Sequence, residues 1–347
     1  MSLEQVNSII KSIKSGDIAP IYAFMGEEPY YIDLLSQYIE QNVLDESERG
    51  FNQIVLYGRD TKVEEIVEHA KRYPMMAERQ VIIVKEAQDL SRTIEHLYDY
   101  ASQPLATTVL VLCYKYKKLD ARKKLLKAIK ANGVVLQSNK LYDNQIPDWI
   151  NKVMLNRGRS VEAKAAQMLA DFLGNDLSKI NKELEKLASV VPKSQKIDAA
   201  LIEEHVGISK DYNNFELQSA IARGDRARAY AIAQYFAENT KNHPVIVTIA
   251  LLYSFFAKLL LYHSLSDKSK APKTLGVNPY FIKEYQNAAR LFPMKRVSVI
   301  ISGIRRIDMK SKGLGTVPLA QKDLLQELLL TIFDWLFFVD WKCSWPH

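Results

Sequence analysis

Cysteine is scarce: the chain of 347 residues carries only Cys113 and Cys343, far apart, and Cys113 ends an apolar run that reads as buried. A disulfide framework is therefore not expected, and a reducing cytoplasm is the expected setting. Metal-ligand spacing is missing too. His69, His96, His205, His243, His263 and His347 form no short pairs, and neither cysteine has a partner at close range, so no metal or other cofactor is expected. No Gly-x-Ser-x-Gly elbow occurs, and the acidic residues are spread over helix faces where solvation accounts for them. The start Met1-Ser2-Leu3-Glu4-Gln5 lacks the basic and apolar regions of a signal peptide. The longest apolar stretch, 244–261, is interrupted by Thr248, Ser254 and Lys258 and is expected to fall short of a membrane span.

What is present is ordinary globular material, 48% hydrophobic and 25% charged. The length suggests two or three domains. Lys+Arg 47 against Asp+Glu 40 leaves a net charge of +7, compatible with a nucleic-acid-associated protein but too diffuse to identify one.

Leu3, Val6, Ile9, Ile10 and Ile13 recur at helical spacing before Gly16. Residues 20–25 read as a strand ending at Gly26, after which a helix opens with Glu27-Glu28-Pro29-Tyr30-Tyr31-Ile32. Such a strand, turn and helix can hold a nucleotide. Four more strands are expected at 53–57, 81–84, 108–113 and 134–136. Helices are expected between them, at 61–70 behind a capping-box-like Thr61-Lys62-Val63-Glu64, at 90–100 and at 120–130. The alternation predicts a mostly parallel sheet covered on both faces, over residues 1–140. From Leu141 the pattern is helical. Ile146, Trp149, Ile150 and Val153 make one face, Ser160 is the expected N-cap of the next helix, and Asp176 or Ser178 caps the one after. A polar break at 207–214 suggests a second boundary, giving domains 141–209 and 210–347. Six long apolar helices are expected beyond it, at 215–222, 225–238, 244–265, 279–291, 295–312 and 320–341.

A phosphate loop needs open glycine backbone, a Lys and a Ser or Thr. Here Glu27 and Glu28 would repel phosphate, Pro29 removes an N–H, and the strand 81–84 is followed by Lys85-Glu86, with no Asp to hold a metal. Both halves of an ATP site are thus expected to be absent. Lys115, Lys117, Lys118, Arg122, Lys123, Lys124, Lys127 and Lys130, interleaved with Tyr114 and Tyr116, read as a solvated helix face or a polyanion-binding surface. In Tyr73-Pro74-Met75-Met76-Ala77-Glu78-Arg79-Gln80, two adjacent methionines cannot both face one core if the chain is regular. They either pack under the next strand or supply a contact tip.

In order and spacing, 21–30, 74–80, Gly224-Asp225 with its alanine-rich helix, and Asp308-x-Lys310-x-x-Gly313 resemble the delta subunit of the bacterial DNA polymerase III clamp loader, over essentially the whole chain. The resemblance implies an α/β plus all-α fold: an AAA+-like parallel-sheet domain without a nucleotide site, a small helical lid (141–209) and a helical collar (210–347). It implies a non-catalytic subunit of a DNA-directed DNA polymerase (nucleotidyltransferase) holoenzyme. The implied partners are the sliding clamp (beta subunit), tau/gamma and delta prime type subunits, and primer-template DNA. It assigns Met75 and Met76 to the pocket of the clamp ring, whose interface they loosen, with Tyr73, Pro74 and Arg79 in support and Asp308, Lys310 and Gly313 as a collar motif. Many relatives have Leu or Phe where this chain has methionine. Two other readings are an active AAA+ ATPase with a divergent site, which nucleotide binding would favour, and a stand-alone helical DNA-binding protein, which salt-steep duplex binding would favour.

Overall fold

The computed structural model describes residues 2–209, 211–314 and 319–334. It divides into two compact units, Met1–Leu141 and Tyr142–His347. The expectations for Cys343, for His347 and for the helix beyond Asp334 concern positions outside the described residues.

The first unit runs α1 (Ser2–Lys14), β1 (Ile21–Gly26), α2 (Pro29–Asn42), α3 (Glu46–Asn52), β2 (Gln53–Tyr57), α4 (Val63–Ala70), β3 (Gln80–Lys85), α5 (Tyr98–Ser102), β4 (Thr108–Lys115), α6 (Lys124–Asn132) and β5 (Val134–Ser138). The five strands form one wholly parallel sheet in the order β2-β3-β4-β1-β5. A parallel sheet buries both faces, and the unbroken runs Val81–Val84 and Val109–Cys113 are buried accordingly. On one face Ile21, Ala23, Met25, Ile82, Val84, Leu110 and Leu112 pack with Ile66, Leu97, Leu125 and Ile129 from the connecting segments. Tyr22 and Phe24, of alternate register in β1, are buried, as are Tyr31, Ile32, Leu35 and Ile39 of α2. Each such side chain contributes roughly 1.5 to 3 kcal/mol by leaving water.

The structure corrects several boundaries. The segment expected as one helix at 90–100 is two 3-10 turns, Ala87–Leu90 and Ile94–Leu97, followed by the short α5. The basic helix starts at Lys124, because Asp120 turns back to accept from Arg122 N, Nε and Nη2 at 3.0 to 3.1 Å. Thr61 does not cap α4. Lys62 stands at the cap, and the Thr61 hydroxyl donates to Glu65 at 2.6 Å. Helix α3 was not foreseen at all.

The second unit begins with α7 (Ile146–Asn156), α8 (Ala163–Leu173), α9 (Leu177–Val190) and α10 (Ala199–Val206). Asp176 caps α9 by accepting from Lys179 N, as expected. Ser160 does not cap α8; its carbonyl accepts from Ile197 N beside the Val161–Ile197 bridge, and Glu162 stands at the cap. Then follow α11 (Asn214–Arg223), α12 (Arg226–Glu238), α13 (Val245–Ser264), α14 (Ala271–Leu275), α15 (Ile282–Leu291), α16 (Met294–Ser311) and α17 (Gln321–Phe333), around a core that includes Phe236, Phe255, Phe256, Phe292, Ile300 and Leu328. By length and composition α13 could cross a membrane, contrary to the sequence expectation. One face of it packs into the core, with Ile249, Leu252, Phe255, Phe256 and Leu259 buried, while Ile246, Val247, Tyr253 and Leu261 are exposed.

Candidate protein-docking site

Ligands of open α/β sheets gather beyond the carboxyl ends of the strands. In this sheet that end is closed. Gly26 ends β1 with φ 132°, and a Cβ there would lie 1.8 Å from the Ser138 carbonyl oxygen. Only glycine meets both conditions. The Glu27 N–H donates to that same carbonyl at 2.9 Å, and the Ser138 hydroxyl donates to the Glu28 carbonyl at 2.8 Å. The Tyr30 N–H donates to Glu28 Oε1 at 3.1 Å, and Pro29 has no N–H. Backbone donors that a phosphate loop would aim at its ligand are therefore committed to the protein itself.

Charge at the same end is balanced internally. Lys115 Nζ, at the end of β4, lies 2.9 Å from Asp33 Oδ1 of α2 and 2.8 Å from Glu86 Oε1 just past β3. Burial pulls the Lys115 pKa down, but its hydrogen bonds to Glu86 and Asp33 outweigh this and leave it raised. Burial pushes Glu86 up, and bonds from Lys115 and Gln88 overcome this to hold its carboxyl below the usual range. An ammonium thus stands between two carboxylates at the end of the sheet where a metal-phosphate would bind. Glu86 and Tyr116, which flank this cluster, are held at φ 52° and 60°.

The opposite, amino end of β3 is open. The turn between α4 and β3 has a pinned stem: Gln80 Nε2 donates to the Arg72 carbonyl at 2.6 Å and to Thr108 Oγ1 at 2.9 Å, and the Thr108 hydroxyl donates to the Ala70 carbonyl at 2.9 Å. Its tip is apolar and wet, with Tyr73 80% exposed, Met75 62% exposed and Met76 fully exposed. Neither methionine packs under β3, which removes the core-packing alternative. Pro74 and Arg79 on the same turn are half-buried. Met76 is held at φ 52°, a conformation that costs a non-glycine residue about 1 kcal/mol or more and that persists only where its surroundings enforce it. The backbone just before Met76 is tied to α3. Asn52 Oδ1 accepts from Met75 N at 2.6 Å, and Asn52 Nδ2 donates to the Met75 carbonyl at 2.9 Å. Sequence reading missed Asn52, although the Asp45-x-x-Glu48 pattern that starts its helix was available: Glu48 accepts from Asp45 N at 3.2 Å.

The other predicted residues lie elsewhere. In the basic segment Lys115 belongs to the ion cluster with Asp33 and Glu86, Arg122 pairs with Asp120, and Lys124 sits 5.7 Å over the Tyr98 ring, while Lys117, Lys118, Lys123, Lys127 and Lys130 are exposed. The collar motif closes α16. Lys310 Nζ bridges to Glu327 of α17 at 2.6 Å, Asp308 pairs with Lys312 at 2.7 Å, and Gly313 takes the left-handed conformation at φ 75° that lets the helix end. Among the described residues no cluster of three metal-ligating side chains occurs.

Comparison with known proteins places the chain in a family. Residues 22–139 match the family model described as DNA polymerase III, delta subunit, and residues 211–332 match that of the DNA polymerase III delta subunit, C-terminal domain. DNA polymerase III subunit delta of Bacillus subtilis is 28% identical over 94% of this chain and 96% of its own length. A probable DNA polymerase III subunit delta of Aquifex aeolicus is 21% identical over 84% and 86%. Among solved structures, the Bacillus subtilis DNA clamp loader delta protein superposes with a TM-score of 0.56 at 26% identity, over 94% of this chain and 99% of that one. The two matched segments, one in each unit, identify the chain as a member of the delta-subunit family of the DNA polymerase III clamp loader.

Proposed function

We propose that this clamp-loader subunit docks on the ring-shaped sliding clamp through Met75 and Met76, with Tyr73, Pro74 and Arg79 in support, and loosens a ring interface so that the clamp opens for loading on primed DNA in the cytoplasm. The observation that carries this reading is the exposed pair of methionines on a turn whose stem is pinned by Gln80 and Thr108. Monomeric proteins seldom hold adjacent large apolar side chains out in water without a partner for them. Burying one methionine yields roughly 1.5 to 3 kcal/mol, and central apolar anchors carry most of an interface's energy.

The chain supplies contact, and ATP is turned over by tau/gamma type subunits. Supporting this division are the committed backbone donors at Glu27 and Tyr30 and the ammonium between Asp33 and Glu86. In the same reading residues 141–209 act as the lid and 210–347 as the collar that assembles with the motor and delta prime subunits beside primer-template DNA. The deciding experiment replaces Met75 and Met76 together by Ala and measures clamp affinity and melting temperature on one preparation. A loss of about thirtyfold or more, equivalent to about 2 kcal/mol, with an unchanged melting temperature is expected. Wild-type affinity in a folded double variant would defeat the reading.

A further inference from the structure

Asn52 is a polar residue in an unusual position. It closes α3, is only 3% exposed, and both polar atoms of its amide are engaged: Nδ2 donates to the Glu48 carbonyl of its own helix at 3.2 Å and to the Met75 carbonyl at 2.9 Å, while Oδ1 accepts from the Met75 N–H at 2.6 Å. Both contacts across the 23-residue separation go to the backbone of one residue. A side-chain amide so placed imitates a neighbouring strand. It fixes the orientation of the Met75 main chain and leaves the Met75 side chain free to face water. The next residue is Met76, at φ 52°. A strained residue adjoining a bidentate clamp is the arrangement expected where a fold over-determines one local conformation.

We propose that Asn52 is the positioning residue of the docking tip, holding Met75 and Met76 in the geometry in which they enter an apolar pocket of the partner. The inference rests on the clamp-docking reading above. Rigid preassembly raises affinity by removing the ordering cost at the moment of binding, so loosening the clamp weakens binding without removing any contacting atom. Among similar side chains only asparagine serves. Aspartate keeps the acceptor but sets a carboxylate against the Met75 and Glu48 carbonyls, and leucine offers neither partner.

The test uses the full chain and its labelled cognate sliding clamp, with affinities expressed per folded molecule. Asn52→Ala and Asn52→Asp are each expected to weaken binding about tenfold, and Asn52→Ala, which removes the acceptor of the Met75 N–H, is expected to accelerate hydrogen exchange of the Met75 amide at least tenfold, with the amides of β3 still protected. Asn52→Asp retains shape and one bond, and serves if the alanine variant folds poorly. In the Met75→Ala, Met76→Ala background, Asn52→Ala is expected to cost less than a further twofold, because no anchor remains to be positioned. A merely structural residue would lower the folded fraction equally in both backgrounds and leave affinity per folded molecule unchanged. The proposal is overturned if either Asn52 variant binds within twofold of wild type, or if its tenfold loss recurs in full without the methionines. Wild-type affinity in the methionine double variant would bring down the clamp reading and this inference together, whereas failure of the Asn52 variants alone brings down only the latter.

Discussion

The two ends of one parallel sheet have been finished in opposite ways. At the carboxyl end the polar groups beside β1 and β4 have internal partners, the Ser138 carbonyl for the Glu27 N–H and Asp33 and Glu86 for Lys115, while the rings of Tyr57 and Tyr116 are exposed. At the amino end the stem is equally well tied, through Gln80 and Asn52, but the side chains it presents have no internal partner, and Met76 is fully exposed. Strain does not follow this division, since Glu86 and Tyr116 are left-handed at the closed end and Met76 at the open one. The contrast teaches how a fold whose usual business is ligand chemistry at one edge can be turned to contact at the other. On the clamp-docking proposal, satisfying polar groups would remove the first function, and leaving apolar groups unsatisfied would create the second.

The comparison can be broken at either end. The largest effect is expected at the open end, where Ala at both 75 and 76 should cost about thirtyfold or more in clamp affinity and leave the melting temperature alone. Gly26→Ala, at the closed end, should do the reverse. Forcing a Cβ to within 1.8 Å of the Ser138 carbonyl oxygen should destabilise the protein by about 2 kcal/mol and lower the melting temperature by several degrees, with clamp affinity per folded molecule retained.

Lys115→Met should cost less, about 1 kcal/mol at neutral pH, because Asp33 and Glu86 are both partly solvated. The pH profile gives the sign. Glu86, with its folded pKa lowered, contributes stability that is present above its ordinary 4.5 and lost as pH falls through the folded value. Lys115, with its folded pKa raised, contributes stability that is present below 10.5 and lost as pH climbs through the folded value. The deficit of the variant in urea unfolding should therefore be widest between those limits and shrink on either side, and a pH-independent deficit would show that packing, rather than charge, holds the cluster. The smallest expected signal is none: calorimetric titration of the wild-type chain with Mg-ATP should give no binding heat, and a stoichiometric micromolar isotherm would mean that the closed end opens.

The legibility of these features in the sequence followed the range of the forces involved. Strands 81–84 and 108–113 were readable because a sheet buried on both faces demands continuous apolar runs, and the departure of Glu27-Glu28-Pro29 from a phosphate-loop pattern is a local fact of the sequence. Helix α3 was missed because Glu46-Ser47-Glu48-Arg49-Gly50 offers almost no apolar periodicity, and only the Asp45 and Glu48 cap announces it. Whether the methionines faced the core or water was undecidable locally, since the tie that settles it runs from Asn52 to Met75. Lys115 was misread for the same reason: in sequence it heads a run of surface charge, while in the fold it meets carboxylates from two other elements.

The exposure of Met75 and Met76 gives the tip a chemistry that leucine or phenylalanine would lack. A thioether in water accepts an oxygen atom from hydrogen peroxide, releasing water and becoming a sulfoxide, a polar group poorly suited to an apolar pocket. Buried Cys113, its thiol pushed up to about 12 by burial, is a poor competitor for the oxidant. Mild peroxide treatment should therefore lower clamp affinity while the fold persists, and methionine sulfoxide reductase should restore it. A variant with Leu at both positions should bind before and after treatment alike; if it does, the choice of sulfur over carbon at this tip would make clamp engagement answerable to oxidative stress.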